Sequence, residues 1–142
     1  MIRIFEPQDM DAVLEIWVRG SLQAHGFIEE SYWERQNREN LLSHAITAVY
    51  CDPTTERIGG FISLVENFIV ALYVAREEQG RGIGHNLLQR AKYLYPVLEL
   101  SVYTENRAAL SFYLREGFQI VLRRIDQATG HEEALMIHPP AK

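Results

Sequence analysis

The spacing of apolar residues along this chain switches between the two-residue repeat of strands and the three-to-four-residue repeat of helices. Residues 2–6 predict a short first strand. Residues 7–25 predict a helix with Asp9 as its cap and Gly26 as its end, and residues 30–45 predict a second, more polar helix. The apolar face of the first helix consists of Met10, Val13, Leu14 and Trp17.

The remainder of the chain reads as strands and helices separated by turn-forming residues. Asp52 and Pro53 open a turn that a glycine pair closes, and a tight link at Glu66 and Asn67 joins the two strands that follow. The predicted strands cover residues 46–51, 61–66, 68–74, 97–103, 118–126 and 133–138, and the predicted helices cover residues 83–95 and 106–117.

This order of elements favours an α+β fold. Adjacent strands in the middle of the chain suit antiparallel pairing, and the two strand–helix–strand segments that follow suit parallel pairing. We therefore predict a single mixed, partly parallel, twisted sheet of about six to seven strands flanked by about four helices. The length of 142 residues suits a single domain covering residues 1–142.

Charge and composition narrow the classes of function. The net charge of −5 argues against nucleic-acid binding, which needs a basic surface. The single cysteine, Cys51, lies in an apolar strand and reads as a buried small hydrophobe rather than a nucleophile. The sequence shows no signal pattern, no long apolar span and no metal-ligand spacing. We expect a cytoplasmic protein without a membrane segment or a metal.

Three glycines within five positions stand where a predicted strand leads into a helix. The first amides of a helix lack intrahelical acceptors and carry partial positive charge, so this junction predicts an anion site formed by Gly80, Gly82 and Gly84, with Arg81 beside it. The phosphate-loop and dinucleotide-binding spacings are both absent. The alternative is a loop that only turns sharply and caps the helix.

Two motifs carry a resemblance to a known family. The run "QGRGIG" resembles the Q/R-x-x-G-x-G/A signature of the GNAT superfamily, the acetyl-CoA-dependent N-acetyltransferases, in its small bacterial form. A later run resembles that family's N-x-x-A-x-x-F-Y-x-x-x-G-F motif through Asn106, Ala109, Phe112, Tyr113, Gly117 and Phe118. The resemblance implies a fold of this order along almost the whole chain.

The resemblance also implies how acetyl-CoA is held. The pyrophosphate would lie on the glycine loop and the pantetheine arm would pair with the backbone of the preceding strand, which this family splays from its neighbour. Asn106 would contact the pantetheine or shape the cleft. The implied cofactor-binding residues are Leu72, Tyr73, Val74, Gln79, Gly80, Arg81, Gly82, Ile83, Gly84, His85 and Asn106.

For the chemistry, the resemblance assigns Tyr113 as the acid that protonates the leaving sulfur, and a backbone amide near Val74 as the oxyanion donor. Tyr113 shares a helix face with Asn106, whereas Phe112 is expected to project into the core. Tyr113 could instead be only a half-buried aromatic residue. Glu66 and His25 are candidate bases. Alternatively, Glu66 is only a turn residue between two strands, and His25 is only a residue at the end of the first helix.

The residues that bind the amine accepting the acetyl group are less well defined. Phe27 and Trp33 are expected to line its pocket, and a protein lysine or a small-molecule amine would both suit the reaction. The segment "HGFI" resembles a small bacterial subgroup and favours protein lysine. The alternatives are a non-catalytic acyl-CoA-binding module and a dinucleotide-binding protein, and the sequence leaves open whether the chain forms a homodimer.

Overall fold

A computed structural model describes residues 1–24 and 35–139. Strands and helices follow in the predicted order, with two short 3-10 turns at Pro7–Asp9 and Arg76–Glu78. The helices are α1 (Met10–Ala24), α2 (Arg35–His44), α3 (Ile83–Leu94) and α4 (Arg107–Arg115). The strands are β1 (Ile2–Ile4), β2 (Ile46–Cys51), β3 (Ile58–Val65), β4 (Phe68–Val74), β5 (Leu98–Tyr103), β6 (Gln119–Ile125) and β7 (Glu132–His138).

The strands form one seven-stranded sheet in the order β1-β2-β3-β4-β5-β7-β6. Only β4 and β5 pair in parallel; the other neighbours are antiparallel. The predicted mixed, partly parallel sheet is confirmed. The second expected parallel pair is wrong, because β7 lies between β5 and β6 and pairs antiparallel with both.

The sheet divides between β4 and β5. These strands pair only at Phe68 with Glu99 and at Ile69 with Leu100. At the same level the β3–β4 register shifts, from Leu64 opposite Ile69 to Ser63 opposite Ala71, which leaves Val70 as an extra residue in β4. An extra residue bends a strand and ends regular pairing. The bulge therefore accompanies the separation of β4 from β5 and leaves a cleft beyond Ile69.

Each face of the sheet carries its own apolar cluster, and β4 contributes to both. Leu72 and Val74 pack against the cluster that includes α3 and α4, whereas Ala71 and Tyr73 belong with the cluster that includes α1. This alternation follows from the two-residue period of a strand. The divided region of β4 is thus lined by α3 and α4 on one side and by α1 on the other.

Two sequence predictions at element ends are wrong. Asp9 is not the cap residue: Glu6 precedes the first 3-10 turn, and the Asp9 carboxylate accepts a hydrogen bond from the Glu6 amide at 2.8 Å. Strand β3 begins at Ile58 and includes the glycine pair that the sequence assigned to a turn. The predicted helix end at Gly26 lies outside the described residues.

Candidate active site

The glycine loop leads from the divided end of β4 into α3. Gly80 has a φ of 84° and Gly82, the residue before α3, has a φ of 78°. Both values lie in the left-handed region that favours glycine. A β-carbon at either position would meet no atom within 4 Å. Backbone conformation, not crowding, therefore requires glycine here, and the loop surface is open to a ligand.

The amides at the start of α3 are free to bind an anion. The first intrahelical bond runs from the Asn86 amide to the Gly82 carbonyl at 3.0 Å, so the amides of Ile83, Gly84 and His85 have no intrahelical acceptor. Gly82 supplies no side-chain cap. Together these amides carry about half a positive charge from the helix dipole. The predicted anion site therefore has the required geometry.

Side chains around the loop hold its shape. Gln79 donates from Nε2 to the Val74 carbonyl at 3.1 Å, which ties the loop to the end of β4. Arg81 donates to Glu78 at 3.1 Å, although it remains largely exposed. Glu78 offsets the charge of Arg81, so the helix-start amides remain as uncompensated donors toward an anion.

His85 is engaged at the far side of the loop. Its Nδ1 lies 2.8 Å from a Glu116 carboxylate oxygen, and Lys92 donates to the Glu116 carbonyl at 2.8 Å. These contacts join α3 to the end of α4. The predicted contact between His85 and a phosphate stays a prediction, and it would require the imidazole to serve two partners.

The edge of β4 that faces the cleft presents backbone hydrogen-bonding groups. The Ala75 amide donates to Gly59 of β3 at 2.8 Å. Since successive amides of a strand point to opposite edges, the amides of Leu72 and Val74 point away from β3. On that side β4 has lost its pairing with β5, which ends at Ile69. These two amides can therefore pair with an extended polar ligand in the cleft.

Tyr113 of α4 is buried, with only 8% of its surface exposed. Its ring meets Phe112 and Phe118 edge-on, at centroid distances of 5.2 and 5.5 Å. Burial raises the pKa of the Tyr113 hydroxyl far above its usual value, and the nearby Tyr73 hydroxyl raises it further. Like an ordinary tyrosine, whose pKa is about 10, Tyr113 therefore carries its proton at neutral pH.

The prediction that Phe112, and not Tyr113, is the core residue of this pair is wrong. Tyr113 is the buried member of the pair, and Phe112 is half-buried against the glycine loop. A β-carbon on Gly84 would lie 3.6 Å from the Phe112 ring. Asn106 caps α4 by accepting the Ala109 amide at 3.2 Å. This cap accounts for Asn106 structurally, and its predicted role toward the cofactor stays a prediction.

The side chain of Tyr73 is a feature that sequence reasoning missed, because Tyr73 was assigned for its backbone alone. The ring packs with Trp17 and Phe61 at centroid distances of 6.5 and 6.1 Å. Ser21 donates from Oγ to the Tyr73 hydroxyl at 3.5 Å. Burial raises the pKa of this hydroxyl, while Ser21 and Arg38 lower it. The signal in the sequence for this contact is an aromatic residue at a strand position whose side chain points toward the first helix.

Of the candidate bases and acceptor residues, the structure describes only Glu66, which lies apart from this centre. Glu66 is exposed at the two-residue turn before β4, with a φ of 53°. A strand of this length spans about 20 Å, so Glu66 lies at the opposite end of β4 from the glycine loop. His25, Phe27 and Trp33 lie outside the described residues.

Two classes of feature are absent from residues 1–24 and 35–139. No three His, Cys, Asp or Glu side chains are grouped so that they could hold a metal ion. Within the same ranges, no helix has both the length and the apolar character needed to span a membrane.

Comparisons with known proteins agree with this geometry. A family model described as an acetyltransferase (GNAT) domain matches residues 43–120. The protein named peptidyl-lysine N-acetyltransferase YiaC, from Escherichia coli K12, is 34% identical over 125 residues, which cover 85% of this chain and 84% of that protein.

Solved structures share the fold. The solution structure of apo-form YjaB from Escherichia coli has a TM-score of 0.82 at 24% identity, and the match covers 99% of this chain and 98% of that one. A Bacillus anthracis protein, solved in complex with acetyl coenzyme A, has a TM-score of 0.60 at 22% identity; the match covers 66% of this chain and 61% of that one.

Proposed function

This chain belongs to the GNAT family of N-acetyltransferases, and we propose that it transfers the acetyl group of acetyl-CoA to the side-chain amine of lysine in proteins or peptides. Members of the family bind acetyl-CoA and an amine acceptor. A lysine acceptor is supported by the name of the relative that shares 34% identity over most of both chains. A small-molecule amine is the second candidate acceptor.

One observation carries the proposal: β4 leaves β5 after Ile69 and ends at a glycine loop whose helix amides have no intrahelical acceptor. A pantetheine arm with a diphosphate needs this combination, an unpaired strand edge leading to an anion site. The open space at Gly80 and Gly82 fits a ligand that touches the backbone closely. The residues present therefore fit the coenzyme.

The binding roles follow from that fit. The amides of Ile83, Gly84 and His85 would hold the diphosphate, and those of Leu72 and Val74 would pair with the pantetheine arm. Gln79 fixes the loop relative to β4. One of the two β4 amides would also donate to the oxygen of the acyl carbonyl, where negative charge develops. When bound, acetyl-CoA supplies an acyl group activated as a thioester.

Tyr113 would act as the proton donor to the departing sulfur. A tyrosine hydroxyl is protonated at neutral pH because its ordinary pKa is about 10, and burial raises the pKa of Tyr113 further. Proton transfer from a positioned acid typically contributes about 10²–10⁴-fold to a rate. Removing this hydroxyl should therefore slow turnover without preventing coenzyme binding, which distinguishes an enzyme from a non-catalytic acyl-CoA-binding module.

The acceptor must lose a proton before it attacks. A lysine amine has a pKa of about 10.4, so the neutral form costs about 4–5 kcal/mol at pH 7. Glu66, at the distant end of β4, would assist only through a chain of water molecules. His25 remains the second proposed base.

The experiment that tests the function measures thiol release from acetyl-CoA with a panel of lysine peptides, polyamines and other amines. We expect turnover with lysine peptides and heat of binding with coenzyme A in calorimetry. Turnover only with small amines would refute the lysine assignment. Absence of coenzyme binding would refute the site itself.

A further inference from the structure

The Tyr73 hydroxyl is a polar group placed inside an aromatic cluster. Its ring packs with Trp17 and Phe61, both of which are buried. A phenylalanine would fill the same space without burying a hydroxyl, and burying a polar group costs free energy unless it gains hydrogen bonds. Among the described residues its hydrogen-bond partner is Ser21, at a long 3.5 Å. The hydroxyl therefore retains capacity to bind a further polar group.

Helix α1 is shaped to receive this tyrosine. A β-carbon at Gly20 would lie 2.4 Å from Cδ1 of the Tyr73 ring, so only glycine allows the ring its position. A glycine inside a helix costs about 1 kcal/mol relative to alanine. The next residue, Ser21, is buried and supplies the hydroxyl contact. Two adjacent residues of α1 thus form a socket for Tyr73.

The socket lies on the opposite face of the sheet from Tyr113. Tyr113 belongs to the cluster beneath α3 and α4, whereas Tyr73 packs against the cluster that includes α1. Tyr73 lies on the part of β4 that has separated from β5 beyond Ile69. The amides of its neighbours Leu72 and Val74 point toward the cleft on this same stretch of strand. Tyr73 therefore lies beside the proposed position of the pantetheine arm.

Tyr73 is only partly buried, so part of its side chain stays accessible. A groove of about 820 Å³ lies beside α1, and its lining includes Gly20, which contacts the Tyr73 ring, and Val74, the next residue along β4. Charged side chains of both signs, among them Glu15 and Arg19, also line this groove. A polar chain in the groove would therefore lie next to the residue that seats Tyr73.

We propose that the Tyr73 hydroxyl, seated by Gly20 and Ser21, hydrogen-bonds the acceptor amine and orients it toward the acyl group. The Tyr73 oxygen accepts an N–H from the neutral amine, which leaves the nitrogen lone pair free for attack. No proton is transferred to Tyr73. The assignment rests on the proposed acetyltransferase function and adds an acceptor-binding group to it.

The test compares Tyr73→Phe with wild type. The acceptors are spermidine and a synthetic peptide with a single internal lysine. We expect kcat/KM for the accepted amine to fall about tenfold, the effect of one hydrogen bond, with acetyl-CoA affinity and Tm unchanged. Calorimetry of the same amine in the presence of free coenzyme A should show a similar loss of affinity without any turnover.

Matched variants separate binding from structure. Ser21→Ala should reduce the same kcat/KM in the same direction. Ser63→Ala removes another buried hydroxyl, which lies 2.7 Å from that of Thr47, and should lower only Tm. An unchanged kcat/KM in Tyr73→Phe would overturn the assignment of Tyr73. A fall in kcat/KM accompanied by a lower Tm and weaker coenzyme binding would also overturn it. Neither result would contradict the proposed acetyltransferase function. Absence of turnover by wild type with both amines would overturn the proposed function, and this assignment with it.

Discussion

Gly20 of α1 and Tyr73 of β4 are in such close contact that a β-carbon on Gly20 would lie 2.4 Å from the Tyr73 ring. The ring itself is confined by Trp17 and Phe61. The contact joins the first helix to the strand that borders the cleft. The packing of α1 therefore determines where one side chain of the site can lie.

Gly20→Ala should destabilise the protein although alanine is the better helix former. Overpacking costs about 1–3 kcal/mol and the gain in helix propensity is about 1 kcal/mol, so the free energy of unfolding should fall by up to about 2 kcal/mol. In a Tyr73→Ala background the same change should become stabilising, because the clash is gone. Urea unfolding of the four proteins measures this reversal of sign, and equal effects in both backgrounds would contradict the contact.

Gly82→Ala should weaken coenzyme binding. The φ of 78° disfavours any residue with a β-carbon by about 1–2 kcal/mol, and the added carbon would project from the anion site. Calorimetry with coenzyme A should show at least a tenfold loss of affinity. Gly130→Ala is the matched control, since Gly130 has a φ of 77° and equally open surroundings but lies in the β6–β7 turn. Equal affinities in both variants would place the diphosphate elsewhere.

Tyr113→Phe should reduce kcat by about 10²-fold or more while leaving the Kd of acetyl-CoA within a factor of about two. The ring and its edge-on contacts with Phe112 and Phe118 are retained, so Tm should change little. Thiol release and calorimetry measure the two quantities. Tyr95→Phe, which alters another partly buried tyrosine packed against the same cluster, should keep wild-type kcat. An equal loss in both variants would argue against an acid role for Tyr113.

Asp9→Asn should destabilise the protein in a pH-dependent way. Arg3 donates to both Asp9 carboxylate oxygens, at 2.7 and 3.0 Å, and this contact lowers the pKa of Asp9. A lowered folded pKa gives stability that is fully present above the unfolded pKa of about 3.9 and is lost as pH falls through the folded value. We expect Asp9→Asn to cost about 1–3 kcal/mol at pH 7.

Urea unfolding at a series of pH values measures this cost and distinguishes the Arg3–Asp9 pair from an ordinary surface pair. As pH falls below the unfolded pKa of about 3.9 and through the lowered folded value, the difference between wild type and Asp9→Asn should shrink, because Asp9 becomes protonated and then is as neutral as asparagine. Glu15→Gln breaks an exposed pair with Arg19 at 3.0 Å and should cost less than about 1 kcal/mol at any pH. A constant penalty for Asp9→Asn down to pH 2 would show that its carboxylate charge is not the source of the effect.

Sequence patterns predicted the local parts of the site and little of its assembly. The glycine loop and the N-terminal amides of α3 depend on residues within a few positions of one another, so the conformation of this loop and the start of the helix could be predicted from the sequence. Whether Asn106 also contacts the cofactor could not be read, because the same side chain serves equally well as a helix cap. The sequence assigned Phe112 to the core, but Tyr113 is the buried residue. Helical spacing gives the angle between two side chains on a helix, but it does not show which face of the helix packs against the sheet.

By itself the sequence determined the order of elements, the mixed sheet and the open glycine loop before α3, since backbone conformation and helix polarity follow from neighbouring residues. Tertiary structure alone decided that Val70 bulges where β4 leaves β5, that β7 lies between β5 and β6, and that Ser21 meets Tyr73 across 52 positions of the chain. Contacts between distant residues depend on the packing of whole faces, which no short pattern encodes.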